Sequence, residues 1–443
     1  MKRFVGFIIV LLGFTGTGLL FAQTQTMTME ECVERALERN ADIMRGEFAL
    51  KIAGRDIVVA LSEYLPSVNA WVGYSHSVLG PSSAVRVDPG TGIPIPLQPY
   101  KLTSWATYSG FQISQTLLDV STIGNIARSR QLYKSAEHSF ESTKQMTILT
   151  VKERYYNLLA SEKLLEVARE TLNSSSESYK RAQVLYDVGK APKSDVLQAK
   201  VQMETDRLSL IQAENNLSIA RGSLNYILGL DVDRPIRVVD NLEMPEIEIS
   251  YESALDNAFA FHPDLIKAGY DVGAAKAALS MAVGSHLPRI SASFSYSWRN
   301  ADFDQLRNYF DTDYNYAIQT TLRIPVFSGL QRLANVSRAQ LNVRSYRETE
   351  DQTRRSVALE TQEAFFNIEQ SKKQIAVARN AVEAAEEVVR LNRERYNLQA
   401  GTMLDLINAQ VSLSRASSDH IQALYSYKTA IARLEKAMGQ LER

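Results

Sequence analysis

The sequence predicts a mainly α-helical fold with a smaller β part, in which long coiled-coil hairpins alternate with strands suited to a membrane. Three observations lead to this prediction. The chain repeats itself, two long windows (125–188 and 330–400) contain neither Gly nor Pro, and short segments between them alternate apolar and polar residues. Helix formers without breakers predict long helices, whereas alternation with a period of two predicts strands.

The N-terminus predicts export. Lys2 and Arg3 precede an apolar run over 4–21 that ends at Ala22. A basic start, an apolar middle and a small residue at the cut define a secretory signal, so residues 1–22 are predicted to be a signal peptide. The alternative is an uncleaved membrane anchor. After Ala22 no segment approaches the ~20 apolar residues that a membrane helix needs.

Composition narrows the class of protein further. Charged residues are 22% and hydrophobic residues 45% of the chain, whose formal net charge is −1. These values fit a folded protein, and no basic cluster indicates a nucleic-acid partner. Cys32 is the only cysteine, so no disulfide framework is expected. It lies ten residues beyond Ala22 in a helical pattern, which predicts a small buried residue and not a lipid anchor.

An internal duplication organises the rest of the chain. Residues 29–75 align without gaps to 251–297, and later parts align at a slightly smaller offset, as in Tyr186 with Tyr396 and Asp195 with Asp405. Repeats of this kind indicate one structural unit used twice. The predicted domains are a first repeat over 23–230, an inter-repeat equatorial linker over 231–250 and a second repeat over 251–443.

Each repeat is expected to contain two long helices that pair as a hairpin. At 1.5 Å per residue the longer helix of each pair would span ~100 Å, so the helices must stack side by side as coiled coil. Apolar residues at 3-4 spacing support this, with large residues and alanine largely alternating along the shorter helices. The predicted helices cover 121–187, 194–228, 328–398 and 403–438.

Four short segments carry the membrane signal. They cover 67–78, 103–116, 289–299 and 314–324, and all three tryptophans lie within them. Each is about the length that crosses an outer membrane at a tilt, with aromatic residues near the ends. The alternative is a soluble sandwich, which needs more strands than are visible.

The number of strands predicts an assembly. Four strands cannot close a barrel, and lipid forbids open edges, so the strands must pair with those of other copies. Two copies would give 8 strands and a filled barrel, whereas three would give 12 and a passage. The Pro-rich stretch over 79–100 and the acidic stretch over 299–313 are predicted to be outer loops.

Three doubled or ordered motifs carry a family resemblance. The first is the opening helix, Glu30 to Ile43, which is echoed by Ala258 to Leu265; Asn40 and His262 stand at its expected helix caps. The second is the strand-to-helix passage over 324–329. The third is the hairpin turn over 186–199, repeated over 396–409.

In this order the motifs resemble TolC-type outer-membrane efflux proteins across essentially the whole mature chain. The resemblance implies a homotrimer with a 12-stranded β-barrel in outer-membrane lipid and a 12-helix tunnel in the periplasm. It also implies a periplasmic adaptor (membrane fusion) protein and an inner-membrane pump of the RND, ABC or MFS type as partners. The implied function is a passive exit duct for an efflux pump or a type I secretion system, with no cofactor.

The resemblance also implies a gate at the hairpin tips. Asp405 matches a gate aspartate and Asn408 follows one turn on, while Tyr396 and Asp195 match the bonds that hold the hairpins shut. The basic partner expected before the second gate aspartate falls on Gly401. The motif further implies roles for the following residues: Tyr186 in the first hairpin, Lys190 and Lys193 as substitutes for the missing basic partner, and Gly189 and Gly401 as tip turns that contact the adaptor. The alternative reading of Asp195 and Asp405 is N-capping of the returning helices.

No catalytic chemistry is indicated. The five histidines are scattered without metal-ligand spacing, and no phosphate-binding loop or nucleophile elbow is present. The main alternative is a periplasmic coiled-coil structural or adaptor protein without a pore, which would not need duplicated hairpins with aromatic strands. The cargo, whether drug, metal, lipid or protein, is left open by the sequence.

Overall fold

The computed structural model describes residues 25–82, 85–96, 100–240, 249–300 and 314–441, so the predicted signal peptide lies outside the described residues. Each repeat contributes a pair of short helices, strands and a pair of long helices. The helices are α1 Met29–Arg39, α2 Ala41–Ser62, α3 Val120–Asp187, α4 Lys193–Ile227, α5 Tyr251–Phe261, α6 Pro263–Gly284, α7 Gln331–Asn397 and α8 Met403–Ala437. The strands are β1 Gln25–Met27, β2 Ser67–Ser82, β3 Val85–Val87, β4 Pro94–Pro96, β5 Tyr100–Leu118, β6 Ile236–Val238, β7 Arg289–Asn300 and β8 Tyr314–Arg323.

The element ends differ from the predicted bounds for local reasons. Helix α7 begins at Gln331 instead of 328, because Gly329 and Leu330 both have positive φ angles, which a right-handed helix does not allow. Strand β5 is longer than predicted. The short pairs β3–β4 and β1–β6, the latter parallel, were not predicted from the sequence.

The helix caps of the opening motif are confirmed. The side chain of Asn40 accepts a hydrogen bond from the Asp42 N–H at 2.8 Å, and its amide donates to the Ile227 carbonyl at 3.1 Å. His262 is the N-cap of α6, whose first residue is Pro263. Both caps satisfy backbone groups that a helix terminus otherwise leaves unpaired.

Four strands form one antiparallel sheet in the order β2-β5-β7-β8. Because side chains alternate along each strand, one face carries the apolar set, including Ile290, Phe294 and Ile318, while the other is rich in Ser, Asn and Gln. Strands β2 and β8 form the two edges, with no further neighbour among the described residues.

The chain divides into two compact units that do not coincide with the two sequence repeats. One unit comprises the described residues within 1–44, 144–254 and 361–443, and the other comprises those within 45–143 and 255–360. Each unit therefore contains segments of both repeats. Among the described residues, none of the helices has the length and apolar character that a membrane crossing requires.

The first unit holds three apolar clusters. The largest joins the N-terminal helix to the middle of α3 and the ends of α4 and α8, and it includes Cys32, Leu158, Leu224 and Leu441. Cys32 is fully buried, as predicted, and its burial raises the pKa of the thiol to about 12. A separate cluster lies at the hairpin ends of the long helices, where the predicted gate residues are found.

Candidate gate at the hairpin tips

The first hairpin turns on a glycine. After α3, Gly189 has a φ of +73°, and the Lys190 N–H donates to the Leu185 carbonyl at 2.8 Å. A left-handed residue that satisfies the last helix carbonyls is the usual way to end a helix, and glycine adopts this conformation without steric cost. The chain then passes Pro192 in an extended conformation and enters α4.

The second hairpin makes the same turn with a non-glycine residue at the left-handed position. Gln399, the repeat partner of Gly189, has a φ of +60°, and the Ala400 N–H donates to the Arg395 carbonyl at 2.8 Å. Gly401 lies in the turn, but it is not among the residues with positive φ. An added Cβ at Gly401 would lie 3.1 Å from the Cβ of Arg395. Gly401 therefore accommodates the Arg395 side chain, and Gln399 takes the left-handed position.

Asp405 takes part in capping the N-terminus of α8 through a reciprocal pair of hydrogen bonds with Thr402. The hydroxyl of Thr402 accepts from the Asp405 N–H at 3.1 Å, and the Asp405 carboxylate accepts from the Thr402 N–H at 3.2 Å. The N-cap residue is thus Thr402, and Asp405 contributes to the capping of α8 as the second member of the capping box. Hydrogen bonds from Thr402, and then the charge of Arg395, hold the pKa of this exposed carboxyl below its usual range.

Asp195 lies at the corresponding position of α4 and contacts the other hairpin. The hydroxyl of Tyr396 donates to Oδ2 of Asp195 at 3.4 Å. Tyr396 is only 4% exposed and packs in the tip cluster with Val196, Met403 and Leu406. Burial, and secondarily the charge of Asp195, raises the pKa of Tyr396 to about 12. This hydrogen bond joins residues of two different hairpins and is named the tip clasp below.

The two lysines that were predicted to replace the missing basic partner do not pair with the gate aspartates in the part of the chain that the structure describes. Lys190 and Lys193 are exposed, and within the described chain neither makes an ion pair with Asp195 or Asp405. Lys190 instead accepts a long hydrogen bond on its carbonyl from Nε2 of Gln399, at 3.5 Å. The cation whose charge acts on Asp405 is Arg395, which sequence reasoning missed.

Tyr186 and Asn408 lie on the surface of the tips. Tyr186 is exposed on the last turn of α3. Asn408 is exposed on the same face of α8 as Asp405, because residues three apart are neighbours on a helix. A further contact between the hairpins, from Nη1 of Arg181 to Oδ1 of Asn397 at 2.6 Å, had no signal in the sequence beyond its position near the turn.

A buried polar seam lies behind the tip cluster. Nε2 of Gln410 donates to the hydroxyls of Ser174 at 2.7 Å and Ser178 at 3.0 Å, linking α8 to α3. Thr171 and Ser414 continue the seam with a hydrogen bond of 3.1 Å. Polar groups buried in pairs specify helix register, because an offset would leave them without partners.

Comparison with known proteins decides the family. The model of the outer membrane efflux protein family matches residues 32–230 and 254–440. The chain belongs to the outer membrane efflux protein family. Membership confirms both the resemblance drawn from the motifs and the predicted outer-membrane localisation.

Relatives and solved structures of this family agree with the fold. The outer membrane protein TolC of Vibrio cholerae is 22% identical over 336 residues, which cover 75% of this chain and 76% of that protein. The alkaline protease secretion protein AprF of Pseudomonas aeruginosa is 23% identical, covering 75% of this chain and 70% of that protein. The outer membrane channel CmeC of Campylobacter jejuni superimposes with a TM-score of 0.81 at 19% identity, covering 93% of this chain and 86% of that one.

These family members are channel and secretion proteins and not enzymes. Among the described residues, no cluster of three or more His, Cys, Asp or Glu side chains could hold a metal ion.

Proposed function

We propose that three copies of this chain form a passive outer-membrane duct that is closed at its periplasmic end by the hairpin tips. The observation that carries the proposal is the open four-stranded sheet. Strands β2 and β8 leave both edges unpaired among the described residues, while one face of the sheet is apolar and the other polar. In lipid an open edge is prohibitively costly, so the edges require strands from other copies.

Three copies satisfy this requirement and leave a passage. Three four-stranded sheets make 12 strands, whereas 8 strands make a barrel filled by its own side chains. The apolar face would contact outer-membrane lipid and the polar face would line the passage. The antiparallel order of the sheet suits closure, since an even number of strands from each copy keeps the pairing of β8 with the next β2 antiparallel.

The helical part supports the same assembly. Helix α4 exposes an apolar stripe that includes Leu197, Val201, Leu208 and Ile211. Between α7 and α8 lies a groove of ≈ 1040 Å³ whose lining includes the small residues Ala378, Ala381 and Ala416. Small residues let a further helix approach closely. In a ring of three chains the α4 stripe of one copy would cover the α7–α8 groove of the next.

The gate consists of contacts that occur once in each chain. The tip clasp joins the two hairpins of one chain, while Asp405 and Asn408 lie exposed on α8 and would face the axis. Three aspartates around a narrow axis would repel anions and attract cations. Opening then requires the clasps to break.

Duplication suggests a second set of contacts between chains. Tyr186 and Asp405 are the repeat partners of Tyr396 and Asp195, yet within the described chain no hydrogen bond joins them. In a ring, the neighbouring copy would bring Tyr186 to Asp405, which repeats the clasp across the chain boundary.

The duct requires partners, since the chain offers no means of using chemical energy. We expect a periplasmic adaptor at the tips near Gly189 and Gly401 and an inner-membrane pump of the RND, ABC or MFS type behind it. The name of AprF describes a relative in alkaline protease secretion, and that of TtgC describes one in a toluene efflux pump, so both polypeptides and small molecules fit the proposal.

The test uses protein extracted from outer-membrane fractions in mild detergent. Light scattering should give three chains per particle, and planar bilayers should show small cation-preferring currents that grow in Asp405→Ala. A monomer without conductance would contradict both the trimer and the duct. It would instead favour the alternative, a periplasmic coiled-coil protein without a pore.

A further inference from the structure

The polar face of the sheet carries two aromatic residues. Along β2 and β5 this face consists mainly of small and polar side chains, and Trp71 and Tyr108 are its aromatic members. The other two tryptophans, Trp105 and Trp298, fall on the apolar face by the alternation of their strands. Large aromatic rings on a face of serines are out of keeping with the pattern of both strands.

Each ring lies over a glycine of the neighbouring strand. Trp71 is directly opposite Gly110, and Tyr108 is directly opposite Gly73. A Cβ added to Gly110 would lie 2.8 Å from Cζ2 of Trp71, and one added to Gly73 would collide with the ring of Tyr108. The rings therefore lie down on the sheet instead of standing out from it. Part of each ring remains accessible, because Tyr108 is 44% exposed and Trp71 is half-buried.

A positively charged residue occupies the same face of the sheet, on the strand next to Tyr108. Arg299 on β7 is directly opposite Tyr108 on β5 and is exposed, so Gly73, Tyr108 and Arg299 form one row across three strands. Trp71 lies two residues before Gly73 on β2 and on the same face, which makes it a diagonal neighbour of Tyr108. Such neighbours are ~7–8 Å apart between backbone positions. Within the described strands β2, β5, β7 and β8 there is no Asp or Glu at all.

Charge and shape together define the ligand. Accessible aromatic rings favour a planar aromatic group, because stacking needs two faces and no directional partner. A guanidinium on the same face of the sheet favours an anion, with which it can form charge-assisted hydrogen bonds. The absence of carboxylates on the described strands means that this anion meets no like charge there.

We propose that Trp71, Tyr108 and Arg299 form a binding subsite for planar aromatic anions on the polar face of the sheet. The inference rests on the proposed function in one respect, namely that the polar face lines the passage. Since the rings lie flat, the subsite holds such a group against the wall without obstructing the lumen. Flat organic anions that reach the strand part of the passage would thus be held against its wall.

The competing account is purely structural, since an aromatic ring over a glycine also shields backbone in a strand. The two accounts differ in what Arg299 does. A structural role for the rings needs neither a ligand nor a cation, so it predicts no saturable binding that depends on the charge of Arg299.

The experiment uses the detergent-solubilised full assembly with Trp105→Phe and Trp298→Phe, which leaves Trp71 as the fluorescent reporter. The probe is 4-nitrobenzenesulfonate, with methanesulfonate and the 4-nitrophenyltrimethylammonium cation as comparisons. We expect saturable quenching by the aromatic anion alone, weakened about tenfold in Arg299→Gln and in Tyr108→Leu, the order that loss of one stacking or charged partner produces. Arg323→Gln is the matched control, because it removes the same charge from the same face at the far end of the strands.

Unsaturable quenching, equal quenching by the cation, or unchanged affinity in Arg299→Gln would each overturn the subsite. If Tyr108→Leu disturbs assembly, Tyr108→Phe keeps the ring and should keep the affinity. Channel conductance without any probe, measured on the same preparations, reports on the duct itself. Conductance without saturable binding therefore rejects the subsite alone, whereas binding without conductance rejects the duct alone.

Discussion

Removing one hydroxyl group, in Tyr396→Phe, should open the proposed duct. The hydrogen bond from Tyr396 to Asp195 is 3.4 Å long, and Asp195 is only half-buried, so it lies at the weak end of bonds to charged groups. We take it as about 1 kcal/mol for each chain. In the proposed trimer, three clasps that break together would contribute about 3 kcal/mol to closure, which would change the open fraction roughly 10²-fold.

The assay is the single-channel current in planar bilayers, where Tyr396→Phe should show frequent or sustained openings that the parent protein lacks. Phenylalanine keeps the ring in the tip cluster, so the change isolates the hydroxyl. Tyr179→Phe is the matched control, because Tyr179 packs against the same cluster and its hydroxyl has no partner among the described residues. Closed-state currents that stay unchanged in both Tyr396→Phe and Asp195→Asn would refute the reasoning. The tip clasp would then contribute nothing to the free energy that favours the closed state.

Three further outcomes are expected. Thr402→Ala removes the reciprocal cap of α8 and should destabilise the tip by about 1 kcal/mol, seen as faster proteolysis between the hairpins, whereas Thr402→Ser should restore it. The pKa of Tyr396 is raised from 10.0 to about 12, so its contribution to closure is complete below pH 10 and is lost as the pH rises towards 12; channel openings should increase over that window in the parent and stay level in Tyr396→Phe. Gln399→Gly relieves a left-handed non-glycine residue and should stabilise the second hairpin by about 1 kcal/mol against thermal unfolding, and an unchanged or lower melting temperature would count against strain at this turn.

Much of the architecture can be predicted from local patterns in the sequence. Breaker-free windows, 3-4 spacing and the offset between repeats are local signals, and they lead to long helices and to the family. Asn40 and His262 could be recognised as caps because a capping side chain acts on its own helix. The open sheet edges also follow from counting strands, since closure of a barrel is a matter of geometry.

The details that the sequence did not reveal depend on conformation or on distant partners. Gly401 lies in the second hairpin turn, but the positive φ of that turn belongs to Gln399, and the glycine makes room for Arg395. Thr402 three residues before Asp405 is the pattern of a capping box, a signal that was present and overlooked. The effect of Arg395 on Asp405 and the seam of Gln410 depend on side-chain packing, which no local pattern encodes.

The interleaving of the two units has a consequence for how the protein is made. The largest apolar cluster unites Cys32, near the start of the exported chain, with Tyr425, Ala432 and Leu441 near its end. Contacts so distant along the chain cannot form until the segment from Tyr425 to Leu441 has been delivered, and apolar surface left exposed in the interval promotes aggregation. Neither repeat can therefore mature on its own during translocation, and the first half must be kept unfolded until the second arrives. Deletions that remove Tyr425 to Leu441 should consequently prevent the protein from accumulating, and should not give a shortened but stable protein.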